Sequence, residues 1–358
     1  MRPSSPFPPC CSALILCLAL ATLAAAQDQP PGQRQYANKL VRIAAPKPIL
    51  ADHPEWVQPV QDLVHYEAPP LVIDDDADLD VRAWRWSYNA RGIIEIPNRL
   101  RAKDTAIVVV HPWGIDDGQG WRTPQPAGVA DFCTPEKNAL SHEHVLRVVN
   151  PFLESLRPRV AMVLHSEPGS EDPIRKKLYR SIRGRPTPED RAQGREELAA
   201  KLHGFAYTGG ALPETITVSK EFPVIDYFRS FPGLDAGPHY NNSGFWDLPI
   251  PVLKSLSFTP DDVVVYDAEG YDAMRDFLKQ SGIRHILLAG YCTDMCFKAT
   301  TAGYANLRKD FNVFLVGDAT LATFPANSMP AYATNAAISF AALENLVTQI
   351  SWVKPRGK

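Results

Sequence analysis

Neither positive nor negative charge is in large excess in this sequence. Its 358 residues carry 37 Lys and Arg against 40 Asp and Glu, which gives a formal net charge of −3 at pH 7. Proteins that bind nucleic acid through their surface usually concentrate positive charge. The near-balance therefore argues against that class, and we expect no nucleic-acid partner.

Long apolar runs are also lacking. The run from Ala13 to Leu23 is too short for a membrane span, and we expect none. Its surroundings are typical of a secretory signal, because Met1–Ala26 contains one basic residue and ends in three alanines before Gln27. We expect residues 1–26 to be a cleaved signal peptide and the mature chain to be secreted or periplasmic.

Cysteine is scarce once that segment is set aside. Three of the 6 cysteines lie in the signal, so Cys133, Cys292 and Cys296 remain in the mature chain. An odd number leaves at least one thiol outside any intramolecular disulfide. In an oxidising compartment a reactive Cys296 could be trapped by either of the other two, and the sequence leaves that open.

Proline, by contrast, is abundant at 33 residues, and it clusters outside the segments that read as regular structure. Because aromatics are interleaved with it, we expect ordered loops rather than disorder. Alternating Trp and Ile at 71–100 predict two or three strands in a small accessory sheet. We assign 27–102 to an N-terminal extension, partly β, 103–350 to the main domain with an insertion at about 167–259, and 351–358 to a C-terminal tail.

The main domain alternates apolar runs with amphipathic segments. The runs predict buried strands at Thr105–Val110, Arg159–Leu164, Asp262–Tyr266, Arg284–Ala289 and Phe311–Val316. Helices are predicted at Glu136–Leu156, with a kink or restart at Pro151, and at Asp272–Gln280 and Asn327–Ile350. Strands that alternate with helices predict an α/β fold, a three-layer α/β/α doubly wound parallel sheet.

The stretch from His285 to Thr301 carries the clearest chemical signal. An apolar strand ends at Gly290, a polar turn follows, and Cys296 opens a segment of helical character. Backbone N–H groups and the dipole at a helix N-terminus favour a thiolate, and they could also hold an oxyanion. The alternative is that Cys296 is a small buried hydrophobe, as unbridged cysteines usually are.

The segment Gly290–Cys296, GYCTDMC, resembles the G-x-x-T-D-x-C signature of the isochorismatase-like cysteine hydrolases. That family includes nicotinamidases and N-carbamoyl amide hydrolases. Ala302–Tyr304 and Val316–Ala319 resemble its next helix and strand, and the likeness covers roughly 103–165 and 258–350. The resemblance implies a hydrolase acting on a small, non-peptide C–N bond. Its Cys attacks the carbonyl, an Asp after the first strand is the base, and a Lys after the third strand assists.

Two of those three positions differ here. His111 stands directly after the first strand, where the family has Asp. The family's Lys should fall near Tyr266 or Asp267, and this segment offers Asp267 and Glu269 but no Lys. Only Cys296 is therefore carried over by motif.

The first hypothesis is a rearranged catalytic set of Cys296, His111 and Asp267. His111 would take the thiol proton, and Asp267 would orient and stabilise the imidazolium, which is a workable nucleophilic arrangement. Equally, His111 could be a capping or core histidine. Other carboxylates near the same strands are alternatives to Asp267: Glu269, Asp104, Asp116 and Asp117.

We expect the predicted cleft to bind a small-molecule substrate. Backbone N–H groups around Cys292 and Cys296 would hold the oxyanion. The residues expected to bind or wall the substrate are Cys292, Thr293, Trp113 and Tyr291, with Phe297 beside them.

Two other hypotheses remain. In the second, the chain is a pseudoenzyme that keeps the fold and binds a small molecule or partner, because losing both base and cation usually costs orders of magnitude in rate. In the third, a divalent metal binds near the base, as in some relatives, through His165 with Glu167 or His142 with His144. We expect no cofactor or metal. Relatives often form dimers or larger assemblies, which leaves a homo-oligomer open.

Overall fold

The computed structural model describes residues 34–44, 64–87, 89, 92–112, 135–171, 173–204, 217–223, 255–293, 295–321 and 349–355. The chain divides into two compact units, Met1–Ala37 and Asn38–Lys358. Residues 34–37 are the described part of the first, and they lie outside helices and strands. Every element named below belongs to the second unit. The predicted signal peptide, Cys133 and Trp113 lie outside the described residues.

The described strands form a single sheet of eleven in the order β1-β2-β4-β3-β11-β10-β9-β5-β6-β8-β7. Their bounds are β1 Val41–Ile43, β2 His65–Glu67, β3 Leu79–Ser87, β4 Gly92–Leu100, β5 Thr105–Val110, β6 Met162–Glu167, β7 Arg180–Ser181, β8 Val263–Tyr266, β9 His285–Tyr291, β10 Asn312–Leu321 and β11 Gln349–Pro355. From β11 to β7 every neighbouring pair is parallel.

Helices connect these strands. They are α1 Pro135–His144, α2 Asn150–Leu156, α3 Pro173–Leu178, α4 Pro188–Gly204, α5 Tyr271–Gln280, α6 Cys296–Ala299 and α7 Tyr304–Leu307. A π-helical segment, Val145–Val149, joins α1 to α2, and short 3-10 turns lie at Ala102–Asp104 and Asp267–Glu269. No helix among these is long and apolar enough to cross a membrane.

The apolar core has two halves, one on each face of the sheet. Successive β5 residues alternate between them, with Ile107 and Val109 in one cluster and Val108 and Val110 in the other. The first cluster includes residues of the π segment and α2, and the second includes residues of α5, α6 and α7. Helices therefore cover both faces, and the predicted α/β fold is confirmed.

The long helix after β5 is confirmed from Pro135 to Leu156, with an irregularity before Pro151. The Asn150 N–H donates to the carbonyl of Val145, five residues back, which is a π-helical bond. Pro151 has no N–H and its ring crowds the preceding turn, so the regular α-helical ladder is interrupted here.

The prediction of an accessory sheet separate from the main sheet is wrong. β3 and β4 form an antiparallel pair, but β3 also pairs antiparallel with β11, from Trp84 opposite Gln349 to Leu79 opposite Pro355. The extension therefore continues the main sheet. Pairing with β3 satisfies the N–H and C=O groups that β11 would otherwise expose along its edge.

Several predicted bounds also need correction. β6 begins three residues later than predicted and ends three later, at Glu167, and β9 continues through Gly290 to Tyr291. Most of the predicted Asn327–Ile350 helix lies outside the described residues. Its last two positions open β11 instead, because Gln349 and Ile350 pair with β3, and the predicted tail continues that strand to Pro355.

Candidate active site

The site begins where β5 and β9 end side by side. The parallel register places Val110 opposite Gly290, so His111 and Tyr291 follow at neighbouring positions of the carboxyl edge, where such sheets bind ligands. A Cβ on Gly290 would lie 2.1 Å from the Val110 carbonyl oxygen, and its φ is +110°. Only glycine permits this close approach of the two strands.

His111 has a strained backbone. Its φ is +33°, an uncommon value for a residue with a side chain, and the residue is buried. Its N–H donates to the Ser166 carbonyl at 3.2 Å, which anchors the end of β5 to β6. Residues held in such conformations concentrate at functional sites.

Asp267, directly after β8, joins His111 to the Cys296 helix. Its Oδ2 lies 3.3 Å from His111 Nε2, and its Oδ1 accepts a 2.6 Å hydrogen bond from the Thr300 hydroxyl. Thr300 is the residue directly after α6. The Thr301 hydroxyl donates to the Asp267 carbonyl at 2.9 Å. One carboxylate thus connects two of the predicted catalytic elements.

The same contacts decide the charge of Asp267. Burial acts to raise the pKa of this carboxyl, but the hydrogen bond and charge of His111 and the Thr300 hydroxyl outweigh it and hold the pKa below its usual value. Asp267 is therefore a carboxylate at neutral pH.

Cys296 begins α6 and is half-buried where the two apolar clusters meet. Both Cys296 and the buried Cys292 carry thiols rather than a disulfide. α6 has only 4 residues, so its dipole is much weaker than that of a full-length helix. A helix terminus of this length therefore contributes little to lowering the pKa of a thiol.

The turn before Cys296 is closed by its own backbone. The N–H groups of Met295 and Phe297 donate to the Cys292 carbonyl at 2.9 and 3.1 Å, and the Thr293 N–H donates to the Leu321 carbonyl at 3.0 Å. The peptide bond between Tyr291 and Cys292 is cis. The Thr293 hydroxyl is buried without a hydrogen-bond partner in the described part of the chain.

Tyr291 and Phe297, predicted beside the substrate, lie in the core. Each is at most 2% exposed. The His144 Nε2 donates to the Asp318 carbonyl at 2.7 Å, so His144 Nδ1 accepts the 2.6 Å bond from the Tyr291 hydroxyl. Burial, with the nearby Cys292, raises the pKa of Tyr291 well above its ordinary value.

The four predicted metal ligands all have protein partners. His165 Nε2 lies 3.1 Å from Asp262, which also pairs with Arg157. The other three contacts are Glu167 with Arg175, His142 with Ser255, and His144 with Tyr291. Within the described ranges, no three His, Cys, Asp or Glu residues gather as a metal site.

Sequence reasoning missed one contributor to the site, Thr300, and one carboxyl with a shifted pKa, Asp318. Thr300 ties α6 to Asp267, and the only signal for it was a hydroxyl placed where the Cys296 helix ends. Asp318 lies on β10 in the Val316–Ala319 motif, and burial raises the pKa of its carboxyl to about 7. Nothing in the motif indicates that shift, because it arises from desolvation by neighbours distant in sequence.

The match to a known protein family falls on the part of the chain that contains the cysteine motif. Residues 249–345 match the model of the isochorismatase domain, a range that contains Asp267 and Cys296 but not His111. The resemblance to the isochorismatase-like cysteine hydrolases, predicted from Gly290–Cys296, is confirmed. No curated protein matches the sequence.

Solved structures similar to this chain include an isochorismatase-like hydrolase from Alkaliphilus metalliredigens, at 12% identity and a TM-score of 0.33, covering 67% of this chain and 91% of that one. A cysteine hydrolase from Pseudomonas syringae pv. phaseolicola has 15% identity and a TM-score of 0.33, with 73% and 90% covered. The nicotinamidase of Staphylococcus aureus has 12% identity and a TM-score of 0.29, with 68% and 95% covered.

The departures from the family motif are spatially paired. The family implies Asp after the first strand and Lys after the third, whereas this chain has His111 and Asp267, and these two side chains meet. The position after β5 is thus basic and the position after β8 acidic, the reverse of what the family motif implies.

Proposed function

We propose that this protein is an exported cysteine hydrolase that cleaves a small amide-type C–N bond through a Cys296 thiolate. His111 is the base, and Asp267 positions and stabilises it. The observation that carries the proposal is the contact of Asp267 with both His111 and the Thr300 hydroxyl at the end of α6. This arrangement is that of a nucleophile, a base and an orienting acid.

The route of proton transfer is inferred from the contacts of His111. Since His111 Nε2 faces the Asp267 carboxylate, Nδ1 is the nitrogen that takes the Cys296 proton. The thiolate attacks the amide carbonyl to give a tetrahedral oxyanion. Since the N–H groups of Thr293, Met295 and Phe297 already donate to carbonyls, other backbone N–H groups around Cys292 and Cys296 receive it. The imidazolium returns its proton to the departing amine, which leaves a thioester. Water, deprotonated by His111, then releases the carboxylic acid and regenerates the thiol.

The location and partners belong to the same proposal. Residues 1–26 direct export, the substrate is a small molecule, and the hydrolysis requires no metal. The competing candidate is a pseudoenzyme, and one observation favours it: the residue after β8 is an acid where the family motif implies a lysine. A binding protein would bind a small amide saturably without turning it over.

The deciding experiment measures the alkylation rate of Cys296 by iodoacetamide against pH. Tandem mass spectrometry reads the rate, because Cys292 lies on the same tryptic peptide, His285–Lys298, and fragment ions separate the two thiols. We expect a midpoint below the ordinary thiol value of about 8.5, moving up by about 1 unit or more in His111→Ala. The matched control is His203→Ala, which removes an exposed imidazole on α4.

An ordinary midpoint that is indifferent to His111 would contradict the proposal and favour the pseudoenzyme. With an acidic midpoint, a screen of small amides follows, comparing wild type with Cys296→Ala. Turnover that is lost in the variant supports the enzyme.

A further inference from the structure

The predicted insertion builds a second cleft on the far edge of the sheet. β7 is the outermost strand there, paired with β8, and α3 and α4 flank the turn that follows it. Gly194 of α4 lets the two helices pack closely, because a Cβ there would lie 2.9 Å from the Lys177 Cβ. The cleft is open to solvent and has a volume of about 520 Å³.

Positive charge dominates the lining of this cleft. Four basic side chains face two acidic ones there: Lys176, Lys177, Arg183 and Arg185 against Glu171 and Asp190. Burial and then the neighbouring Arg185 lower the pKa of Arg180, on the adjacent strand, so like charges crowd at this edge. The chain as a whole has a net charge of −3, so this concentration is local.

Three of the four cations have carboxylate partners but keep unused donors. Arg183 Nε lies 3.1 Å from Glu269, Arg185 Nη1 lies 2.5 Å from Asp261, and Lys177 pairs with Glu197. The remaining guanidinium N–H groups of Arg183 and Arg185 have no partner among the described residues. A guanidinium presents five donors in a planar fork that suits phosphate and similar anions.

Access to those donors is open. The side chains of Arg183 and Arg185 are 69% and 53% exposed, and Asp261 is 77% exposed, so an entering anion can replace it. The Gly184 position between the two arginines faces open space, since a Cβ built there meets nothing within 4 Å. Lys176 is exposed, and no described residue pairs with it.

We propose that this cleft binds a multivalent oxyanion, either a free phosphate or sulfate or a small molecule that carries such a group. Lys176, Arg183 and Arg185 provide the charge and the hydrogen bonds. The proposal does not depend on hydrolysis by Cys296. Arg183 does connect the two sites, because its partner Glu269 ends the turn that begins with Asp267.

Isothermal titration calorimetry on the whole purified chain, at constant ionic strength, tests the site with sodium pyrophosphate and with sodium sulfate. We expect saturable binding of pyrophosphate at one site. Arg183→Gln with Arg185→Gln should weaken it about tenfold or more, since each contact is a charged hydrogen bond. Saturation by both salts assigns a general oxyanion site, and saturation by pyrophosphate alone assigns a phosphate site.

The matched control is Arg195→Gln. Arg195 is exposed and lies on α4, the helix that contributes Asp190 to the cleft, but it does not line the cleft itself, so we expect a change in affinity below about twofold. Because Arg183 pairs with the buried Glu269, the double variant could lose stability. Lys176→Gln removes an exposed side chain and should still weaken binding several-fold. Heats that never saturate, or equal loss in Arg195→Gln, would overturn the proposal.

Discussion

Two His–Asp pairs lie at opposite ends of the parallel strands β5 and β9, one fully buried and the other partly exposed. At the amino end, His285 Nε2 is 2.9 Å from Asp74, with side chains 0% and 4% exposed. At the carboxyl end, His111 Nε2 is 3.3 Å from Asp267, whose side chain is 27% exposed. The residue types are the same, but the geometry and the access to solvent differ.

The amino-end pair is saturated with hydrogen bonds. Asn312 donates to His285 Nδ1 at 3.1 Å, so Nε2 must be the nitrogen that donates to Asp74. Asp74 also accepts bonds from the Arg101 N–H and the Arg284 guanidinium. Burial lowers the pKa of His285 despite the nearby carboxylate, which favours a neutral ring. This pair serves to attach the N-terminal segment to β9.

The carboxyl-end pair differs from the amino-end pair in its backbone conformation and in its neighbours. His111 has a left-handed backbone, whereas His285 lies in a regular strand, and the Asp267 pair is joined to the helix that carries Cys296. The comparison teaches that a His–Asp pair alone does not define a catalytic site. Partial exposure, backbone strain and a link to the helix that carries Cys296 distinguish the pair that we propose to be catalytic.

The largest expected effect separates the pairs by activity. His111→Ala should lower turnover of a cleaved amide by about 10²–10⁴-fold, because it removes the general base. Because His111 is buried against Asp267, the variant can also lose stability, so its urea midpoint is measured and the rate is expressed per folded protein. His203→Ala should leave the rate unchanged. A rate that survives in His111→Ala would show that the two pairs do not differ in function.

The second effect separates them by stability. His285→Ala should lower the free energy of unfolding by about 2–3 kcal/mol, since it leaves Asp74 and Asn312 without a buried partner. Urea denaturation followed by circular dichroism measures this. The remaining folded protein should retain wild-type kcat, and a selective loss of kcat would contradict a structural role.

A third carboxyl, that of Asp318, sharpens the contrast, because burial causes its pKa shift and no ion pair with a described residue accompanies it. Burial raises the folded pKa of Asp318 to about 7 from an ordinary 3.8, so its neutral form stabilises the fold at low pH and that stability is lost as pH rises through 7. Asp318→Asn should therefore be more stable than wild type at pH 8 by about 2 kcal/mol, with the difference vanishing near pH 4. The exposed Asp272→Asn is the control, and equal behaviour of the two variants would refute the assignment.

The smallest effect is the acid sensitivity of the structural pair. Burial acts to raise the pKa of Asp74, but the Arg101 N–H, His285 and Arg284 outweigh it, so the folded pKa lies below 3.8. Its contribution is present above that unfolded value and is lost as pH falls through the folded pKa. Asp74→Asn should lose about 1 kcal/mol at pH 7 and show a flatter decline in thermal midpoint below pH 4. A parallel decline in both proteins would argue against this linkage.

Much of the fold follows from local sequence. Thr105–Val110 and Val263–Tyr266 are apolar throughout, which suits strands buried on both faces, and both fall within one residue of prediction. The meeting of positions 111 and 267 was also predictable, because the carboxyl ends of parallel strands share one edge. These inferences needed only periodicity, turn residues and the handedness of crossovers.

What the sequence determined by itself was therefore the class of fold, the cysteine motif and the edge of the sheet where the site lies. Only the tertiary structure decided which carboxylate meets His111, that Thr300 joins Asp267 to the Cys296 helix, and that β3 continues the main sheet beside β11. The same is true of the basic cleft, whose charges are visible in the sequence but not their common orientation. The physical reason is range: propensity and patterning act over a few neighbouring residues, whereas ion pairs, desolvation and edge pairing depend on residues brought together by the finished fold.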